Sequence, residues 1–519
     1  MPLLRLYADR VFGIDTRSLA AFRISIGTII LCDLVNRSRD IAAHYTDAGV
    51  LPRSVLVEHG DFFPSWSLHA MNGGEFFQAM LFFIAAVAAL CMIVGYRTRL
   101  MTVVSWVLLA SLQARNVMVN NAGDALLCVM MFWAMFVPLG ERWSIDRLHR
   151  ARFSEDDKPV ARVTSFASAA LMIQLLSMYI ATGLAKYNDT WWSGEALYRA
   201  MANELYQRPL AVWIVQNYDA LEWVNPFTVW AEILLPLLCL SPWLTRWNRI
   251  AVILVVIAFH GTVQMAVTVG QFSFTSILCW IIFWPDGIWD WLGRFASLQR
   301  IRSAIAGAFG WLANSLPAPA AFQRPSWRAQ MVASVLVAIL LLFNLVNMVD
   351  AHVADRGRPN FLPQSLQTVR EVLHLKRRWL MFGKPGESSG WYIVVVTLAD
   401  GSRREALTDK PFDPNTYERP ERIAYIFKNH RWRKFFRVMT QDQYRTLRKN
   451  MGPGCCTMWN QDHPDRPAAE SIEISFISQK IMPREGAAAN ETKQIVFYRG
   501  LCPKPTDVST QSPFEIQYE

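Results

Sequence analysis

The chain has 519 residues, of which 52% are hydrophobic and only 18% are charged, and it contains 21 Trp and 30 Phe. Soluble proteins carry about 25% charged residues, so the composition excludes a disordered, collagen-like or disulfide-scaffold chain and favours an integral membrane protein. The formal net charge is +10. No basic patch interleaved with stacking aromatics accompanies that charge, so we expect a lipid bilayer and no nucleic acid as partner.

Nine apolar runs approach the roughly 20 residues that are needed to cross a hydrocarbon core. In chain order they cover residues 18–36, 76–96, 99–114, 124–140, 165–186, 226–243, 249–268, 272–292 and 329–349. The third run is short, and the eighth is interrupted by Pro285 and Asp286. No small-residue cleavage site follows the first run, so we expect it to be a retained helix. The sequence therefore predicts an all-α polytopic membrane bundle of about nine transmembrane helices over residues 1–350.

The orientation of the bundle follows from the basic residues in its short loops. We count 18 Lys and Arg on the side of the N-terminus and 6 on the other side. Basic loops stay in the cytoplasm, so we expect a cytoplasmic N-terminus and an extracytoplasmic chain after residue 350, in a cell membrane. The long outer loops, 37–75 and 187–225, are rich in aromatics and could form an interfacial belt or roof a cavity.

Residues 351–519 are more polar and predict a small extracytoplasmic α+β domain of about four strands and two helices. The segment WYIVVVTLADGSRREAL is typical of two strands joined by a turn at Asp400-Gly401. A helix is predicted to end at Gly452, and two alternating segments follow it.

Five of the eight cysteines lie in the apolar runs, where small apolar packing is the expected role. The other three are Cys455, Cys456 and Cys502, in a domain that we expect to face an oxidising compartment. We predict that Cys502 pairs with Cys455 or Cys456, and the sequence does not select between them. No C-x-x-C motif occurs, so no metal site is predicted.

Ionisable residues inside apolar runs are candidate functional residues. Lys186 closes the fifth run, Glu232 lies in the sixth, and His260 and Gln264 lie one turn apart on one face of the seventh. Each also has a structural interpretation, as a snorkelling side chain, an ion pair or an interhelical hydrogen bond. A lysine in an aromatic, poorly hydrated pocket tends to become a neutral amine, which can act as a general base.

We therefore predict that Lys186 faces an enclosed cavity in the outer half of the bundle, with His260 and Gln264 as its polar partners. The predicted catalytic residues are Lys186 and His260, and the predicted cofactor-binding residues are Gln264, Tyr187, Trp191 and Trp192. Arg23 and Asp33 are expected to pair structurally with other helices, or Arg23 to snorkel toward the membrane surface. A structural role at helix ends is also expected for Arg115, Asn116, Asp124, Trp143, Ser144 and Asp146.

Several segments are similar to a known membrane family. SLQARNVMVNNAGDALLCVMMFWAMFVPLGERWSIDRL resembles the HTTM (horizontally transferred transmembrane) domain, which is shared with vitamin K-dependent gamma-carboxylase. MYIATGLAKYNDTWWSGEAL resembles the stretch that carries the family's active-site lysine, which falls on Lys186. AFHGTVQMAVTVGQFSF resembles a later histidine-containing stretch. In the tail, RWLMFGKPGESSGWYIVVVTLADG and NHRWRKFF look like the C-terminal region of bacterial members.

The resemblance implies an oxygen-dependent enzyme. The family's chemistry deprotonates a vitamin K hydroquinone, which reacts with O2 to give a strong base and an epoxide, and the base drives the addition of CO2 to a glutamate. For this chain the resemblance implies a vitamin K or menaquinone-like hydroquinone, with O2 and CO2. The implied function is a gamma-carboxylase-like lyase acting on an exported peptide or lipid. A catalytic histidine of the carboxylase falls on Glu141 here. The alternative function is a non-catalytic membrane factor that binds or matures an exported partner.

Overall fold

The structure is a computed structural model that describes residues 2–59, 66–153, 158–318, 326–355, 357, 359–375, 378–481 and 492–503. Its first two thirds are almost entirely helical. Up to residue 292 the helices are α1 (Pro2–Phe12), α2 (Thr16–Ser38), α3 (Ile41–Tyr45), α4 (Arg53–Glu58), α5 (Glu75–Val94), α6 (Thr98–Arg115), α7 (Ala122–Ala134), α8 (Ile145–Phe153), α9 (Phe166–Ala185), α10 (Asp189–Trp192), α11 (Glu195–Met201), α12 (Pro209–Gln216), α13 (Val224–Leu238), α14 (Thr245–Ala266), α15 (Phe272–Cys279) and α16 (Asp286–Leu292).

Two more helices and one small sheet complete this region. The helices α17 (Ala296–Ser315) and α18 (Trp327–Asp355) follow α16. The strands β1 (Ile14–Asp15) and β2 (Arg162–Val163) pair antiparallel where α2 and α9 begin. The largest apolar core lies between α2, α5, α6, α7, α9 and the segment after α15, and Trp133, Phe22 and Phe283 are fully buried in it.

Five of the described helices are long and apolar enough to cross a membrane, namely α2, α5, α9, α14 and α18. A sixth span results if α15 and its continuation to Phe283 are joined with α16, which is bent from it by 101° at the predicted interruption. The other predicted runs fall on α6, α7 and α13, of which α7 and α13 are shorter than 18 residues. The protein is therefore a helical membrane protein, and nine spans stays a prediction.

The tail contains one antiparallel sheet with helices beside it. In chain order its elements are α19 (Gln364–Val372), β3 (Ser388–Leu398), β4 (Arg403–Glu405), β5 (Lys410–Pro411), α20 (His430–Met439), α21 (Arg448–Asp462), β6 (Ala469–Lys480) and β7 (Thr492–Leu501). The strand order is β5-β4-β3-β6-β7. The predicted turn at Asp400-Gly401 is confirmed, and Gly401 adopts a φ of 82° there. The helix α19 and the two-residue strand β5 were not predicted.

The predicted helix end at Gly452 is wrong. The helix α21 begins at Arg448 and continues through Gly452, Pro453 and Gly454 to Asp462. A Cβ atom at Gly454 would lie 2.4 Å from the Cα of Val50. The glycine therefore permits a close approach between α21 and the loop before α4, and it does not terminate the helix.

The predicted disulfide is confirmed and resolved to one pairing, Cys456–Cys502. Cys455 is a free, buried cysteine, and burial raises the pKa of its thiol to about 12. Consecutive helical residues point about 100° apart because the helix has 3.6 residues per turn. Only one cysteine of the adjacent pair can therefore face the end of β7.

The tail packs onto the loops at one end of the bundle. Val50, Leu51, Met118 and Val119 from those loops belong to the same apolar cluster as the buried face of the tail sheet. Asp40, just after α2, accepts hydrogen bonds from Asn429 and Trp432 of the tail and pairs with Lys428 at 3.2 Å. The tail and the bundle therefore share a continuous interface.

A four-charge cluster of Asp33, Arg37, Asp124 and Arg431 lies within this interface. Arg37 binds Asp33 at 2.8 Å and Asp124 at 2.7 Å. Arg431 of α20 binds Asp124 at 3.0 Å, contacts Asp33, and donates to the carbonyl of Val119. The four charged side chains are at most 2% exposed. The cluster is electrically balanced, and it ties the tail to α2 and α7.

Arg115 and Asp146 bind backbone groups at helix ends, as predicted. Arg115 donates to the carbonyls of Leu51 and Thr46. Arg23 donates to the carbonyls of Leu139 and Trp143. The carboxylate of Asp146 accepts hydrogen bonds from the backbone amides of Arg97 and Thr98, where α6 begins, at 2.7 Å each. These contacts satisfy groups that would be costly to leave unpaired in hydrocarbon.

Candidate functional site

One face of α9 carries the polar residues of the candidate site. Tyr179, Thr182, Gly183 and Lys186 follow the i, i+3, i+4, i+7 spacing that places side chains on one helix face. A capping box formed by Ser165 and Ser168 fixes the start of this helix. The face looks toward α13 and α14, so three helices contribute to the site.

Lys186 forms a buried ion pair with Glu232 of α13. The Nζ–Oε2 distance is 2.6 Å, and the two residues are 2% and 9% exposed. A Cβ atom at Gly183 would lie 2.7 Å from Cγ1 of Ile233 and 3.2 Å from Cβ of Glu232. The absence of a side chain at Gly183 therefore lets α13 come close enough for the pair to form.

The prediction that His260 and Gln264 are the polar partners of Lys186 is corrected by this geometry. Glu232 holds the hydrogen bond instead, because α9 and α13 pack directly at Gly183 and a carboxylate makes a charge-assisted bond with an ammonium group. His260 still lies near enough for the charge of Lys186 to act on it. The site thus contains both Lys186 and His260, but Lys186 is hydrogen-bonded to Glu232 and His260 is hydrogen-bonded to Tyr179.

His260 is hydrogen-bonded to Tyr179, with 2.7 Å between Nε2 and the phenolic oxygen. Its ring is 1% exposed and lies edge-on to Phe272. The Nδ1 atom of His260 and the Oε1 atom of Gln264 are both buried and have no hydrogen-bond partner among the described residues. Two unsatisfied polar atoms therefore lie one turn apart on α14, where a ligand with hydroxyl groups could satisfy them.

Trp191 covers the Lys186 side of the site. It is 3% exposed, its ring centroid lies 5.5 Å from Nζ of Lys186, and its indole Nε1 donates to the carbonyls of Phe382 and Gly383. Asn188 donates to the same Gly383 carbonyl at 2.9 Å. A segment of the tail therefore closes over the end of α9.

Tyr187 and Trp192 lie at the surface of the protein, outside the buried site around Lys186. Their side chains are 55% and 41% exposed, and their rings pack against each other with centroids 5.3 Å apart. Of the three aromatic residues predicted to bind a cofactor, Trp191 alone is buried beside Lys186. This arrangement is typical of an interfacial aromatic pair next to a buried site.

Sequence reasoning did not find Tyr179 as a site residue and did not assign Glu232 to Lys186. The signals were present, because Tyr179 shares the helical face of Lys186 and Glu232 is the one carboxylate within the sixth apolar run. Glu141 lies far from Lys186: it pairs with Arg150 at 3.2 Å and accepts from the amide of Val160, near the start of α9. The 20 residues of α9 span about 30 Å, so Glu141 is not part of this site.

No group of three or more His, Cys, Asp or Glu in the described part of the chain could hold a metal ion. Comparison with known proteins gives one positive result. The family model of the HTTM domain matches residues 13–291, a range that includes the whole site from Tyr179 to Gln264. Searches of curated proteins and of solved structures found no match. Because the family model covers more than half of the chain, this protein belongs to the HTTM domain family.

Proposed function

We propose that the protein is a bacterial gamma-carboxylase-like membrane enzyme in which Lys186 acts as the general base. The HTTM domain is associated with membrane proteins related to carboxylases. The observation that carries the proposal is the buried Lys186–Glu232 pair at 2.6 Å. It lies close enough to His260 for the charge of Lys186 to act on that ring, whose Nδ1 is unsatisfied.

The pair supplies a route to a neutral amine. Transfer of one proton from Nζ of Lys186 to Oε2 of Glu232 converts two buried charges into two neutral groups. Buried charges carry a large desolvation cost, so a poorly hydrated site tolerates the neutral form. A neutral amine can then accept a proton from an acidic hydroxyl of a bound molecule. Trp191 and the tail segment at Gly383 exclude water from this side of the pair.

The residues present suit a hydroquinone, with an apolar ring and two hydroxyl groups. The unpartnered atoms of His260 and Gln264 offer hydrogen-bonding positions for a hydroxyl group, and Lys186 offers a proton acceptor. A bound vitamin K or menaquinone hydroquinone would supply the oxygen-dependent chemistry, with O2 and CO2 as further reactants. The substrate class that fits this chemistry is a glutamate-containing exported peptide.

We also propose that the N-terminus is cytoplasmic and that the tail is extracytoplasmic. The grouping of loops supports this topology: Asp40, Val119 and Thr268 all contact the tail and lie on the predicted outer side. At the other end of the bundle, Arg17 of α2 pairs with Asp290 of α16.

Reporter fusions after residues 160 and 400 test the topology. We expect the fusion after 160 to report a cytoplasmic position and the fusion after 400 an extracytoplasmic one, because of the 18-to-6 excess of basic residues on the N-terminal side. The opposite signal at either position would contradict the proposed topology.

The catalytic proposal is tested by removing Lys186 without leaving an unpaired buried carboxylate. We expect the double variant Lys186→Met/Glu232→Met to remain folded and to lose hydroquinone-dependent incorporation of labelled CO2 into a glutamate peptide. A matched control is Lys428→Met, which removes another lysine from an ion pair, with Asp40, and should retain that incorporation. Undiminished incorporation by the double variant would exclude Lys186 as the base.

The second candidate function is a non-catalytic membrane factor for an exported partner. The full pairing of Lys186 with Glu232, at the point where Gly183 brings α9 and α13 together, favours this function because the pair would also serve as an interhelical clamp. If the wild-type protein incorporates no CO2 with any hydroquinone tested, and the double variant still supports its exported partner, this second function is the better account.

A further inference from the structure

A cavity of about 300 Å³ lies at the end of the bundle opposite the tail. It is bordered by β1, β2, the start of α14 and the turn before α16. Its charged lining consists of Arg10, Arg162, Arg246, Arg249, Asp15 and Asp286. We call it the four-arginine cavity. None of these residues belongs to the site around Lys186.

Arg249 is a buried cation that has no acidic partner in the part of the chain that the structure describes. It is 4% exposed, it donates from Nη2 to the carbonyl of Val11 at 2.6 Å, and its guanidinium lies 5.4 Å from the ring centroid of Phe283. Its Nε is buried and unpartnered, and no carboxylate in the described part of the chain lies within ion-pair distance of it. Burying an unpaired charge carries a desolvation cost, so an anion bound in the cavity would offset that cost.

The acidic residues of the lining do not neutralise it. Asp15 is already paired with Arg17, which donates hydrogen bonds to its carboxylate from Nε at 3.1 Å and from Nη2 at 2.7 Å. Asp286 accepts from the amide of Gly287. Arg162 also lies 3.8 Å from Asp9, which is outside the lining. Arg246 is exposed and makes no ion pair among the described residues. Positive charge is in excess because the lining has four arginines and two aspartates, one of which is already paired with Arg17.

The surroundings of the cavity indicate a lipid as the source of the anion. Trp247 and Leu244 line the cavity and are 63% and 71% exposed, as expected for residues at a membrane interface. Leu254 and Ile257 continue the exposed face of α14 from Trp247 at helical spacing. This apolar stripe leads directly away from the arginines along a helix of membrane-spanning length.

We propose that the four-arginine cavity binds the phosphate group of an anionic phospholipid, whose acyl chains lie along the exposed face of α14. Guanidinium groups bind phosphate oxygens through paired, charge-assisted hydrogen bonds. The lipid phosphate takes the place of the missing partner of Arg249, and Arg246 contacts it from the open side. This assignment is independent of any catalytic activity of the protein.

The test measures the binding of phosphatidylglycerol to the full-length protein, stripped of lipid in a neutral detergent, by native mass spectrometry and by the thermal shift that the lipid produces. We expect Arg246→Gln to weaken binding about tenfold, which corresponds to the loss of one charge-assisted contact. The matched control is Arg328→Gln. Arg328 lies over Trp327 at the same 5.6 Å as Arg246 over Trp247, but it is outside the cavity. We expect this control to bind like the wild type.

Inorganic phosphate distinguishes the two sources of the anion. If millimolar phosphate fails to displace the lipid, the lipid assignment is supported. If phosphate stabilises the wild type but not Arg246→Gln, and displaces the lipid, the site is a free-phosphate site and the lipid assignment is overturned. Equal lipid binding by the wild type, Arg246→Gln and Arg328→Gln would overturn the proposal. Because Arg246 is exposed, its variant keeps the test valid even if Arg249→Gln does not fold.

Discussion

Replacing Arg431 by Met is expected to lower the free energy of unfolding by about 3–5 kcal/mol, the usual cost of removing one partner from a buried ion pair. The loss leaves Asp33 and Asp124 with a single cation, Arg37, in a place where the charged side chains are at most 2% exposed. Burial and the nearby charge of Arg37 lower the pKa of the Arg431 guanidinium, but Asp124 and Asp33 raise it by more, so the side chain stays a cation there. We expect the tail to detach first, so thermal melting and limited proteolysis should both report the loss.

The matched control for this variant is Lys449→Met. Lys449 also joins the tail to the bundle, through Glu58 at 3.3 Å, but the two side chains are 65% and 53% exposed. Exposed ion pairs contribute about 0–1 kcal/mol, so this variant should melt like the wild type. Restoring neutrality with Arg431→Met/Asp33→Asn should recover part of the lost stability. Equal melting of Arg431→Met and Lys449→Met would contradict a stabilising role of the four-charge cluster.

Removing the Cys456–Cys502 bond, with both residues replaced by Ala, is expected to destabilise the tail by about 4 kcal/mol. This magnitude is the chain-entropy value for a loop closed between residues 46 positions apart. The bond joins α21 to the end of β7, so without it the edge strand β7 loses a covalent anchor. Thermal melting of the intact protein with and without reductant measures the effect.

Cys455→Ser provides the control for the disulfide. It removes the neighbouring thiol, which is buried and free, and leaves the bond in place. We expect this variant to keep the reductant sensitivity of the wild type, whereas the double alanine variant should have none. A double alanine variant with a wild-type melting temperature, or a wild-type protein unaffected by complete reduction, would contradict the prediction.

Patterns of apolar residues predicted the helices of the bundle well, since a run of about 20 such residues has few other stable forms in lipid. These patterns predicted the ends of elements less well where contacts between residues distant in sequence decide where a helix stops. The helix α21 runs through Gly452 and Pro453 because the chain is held by Val50, Tyr498 and the disulfide, none of which is visible from local composition. Local turn signals were therefore overruled by tertiary packing.

In the candidate site, too, the sequence predicted a residue from its local position but not the contacts that it makes. Lys186 was identified from its position at the end of an apolar run, and it is buried as expected. Its partner was predicted incorrectly because the choice between Glu232 and His260 depends on how closely α13 approaches α9, and Gly183 sets that distance. The association of Asp33 and Asp124 with Arg431 was not predicted at all, since the interacting residues are as many as 398 positions apart.

That separation has a consequence for the order in which the chain is completed. Asp33 and Arg37 can pair as soon as the first long helix exists, since they are four residues apart. Asp124 then adds a second negative charge, and its balancing cation is made only after more than 300 further residues. Until Arg431 has been made, the chain holds two carboxylates of the cluster, Asp33 and Asp124, and one cation, Arg37. A chain that stops before Arg431 therefore lacks the cation that balances this cluster of charges.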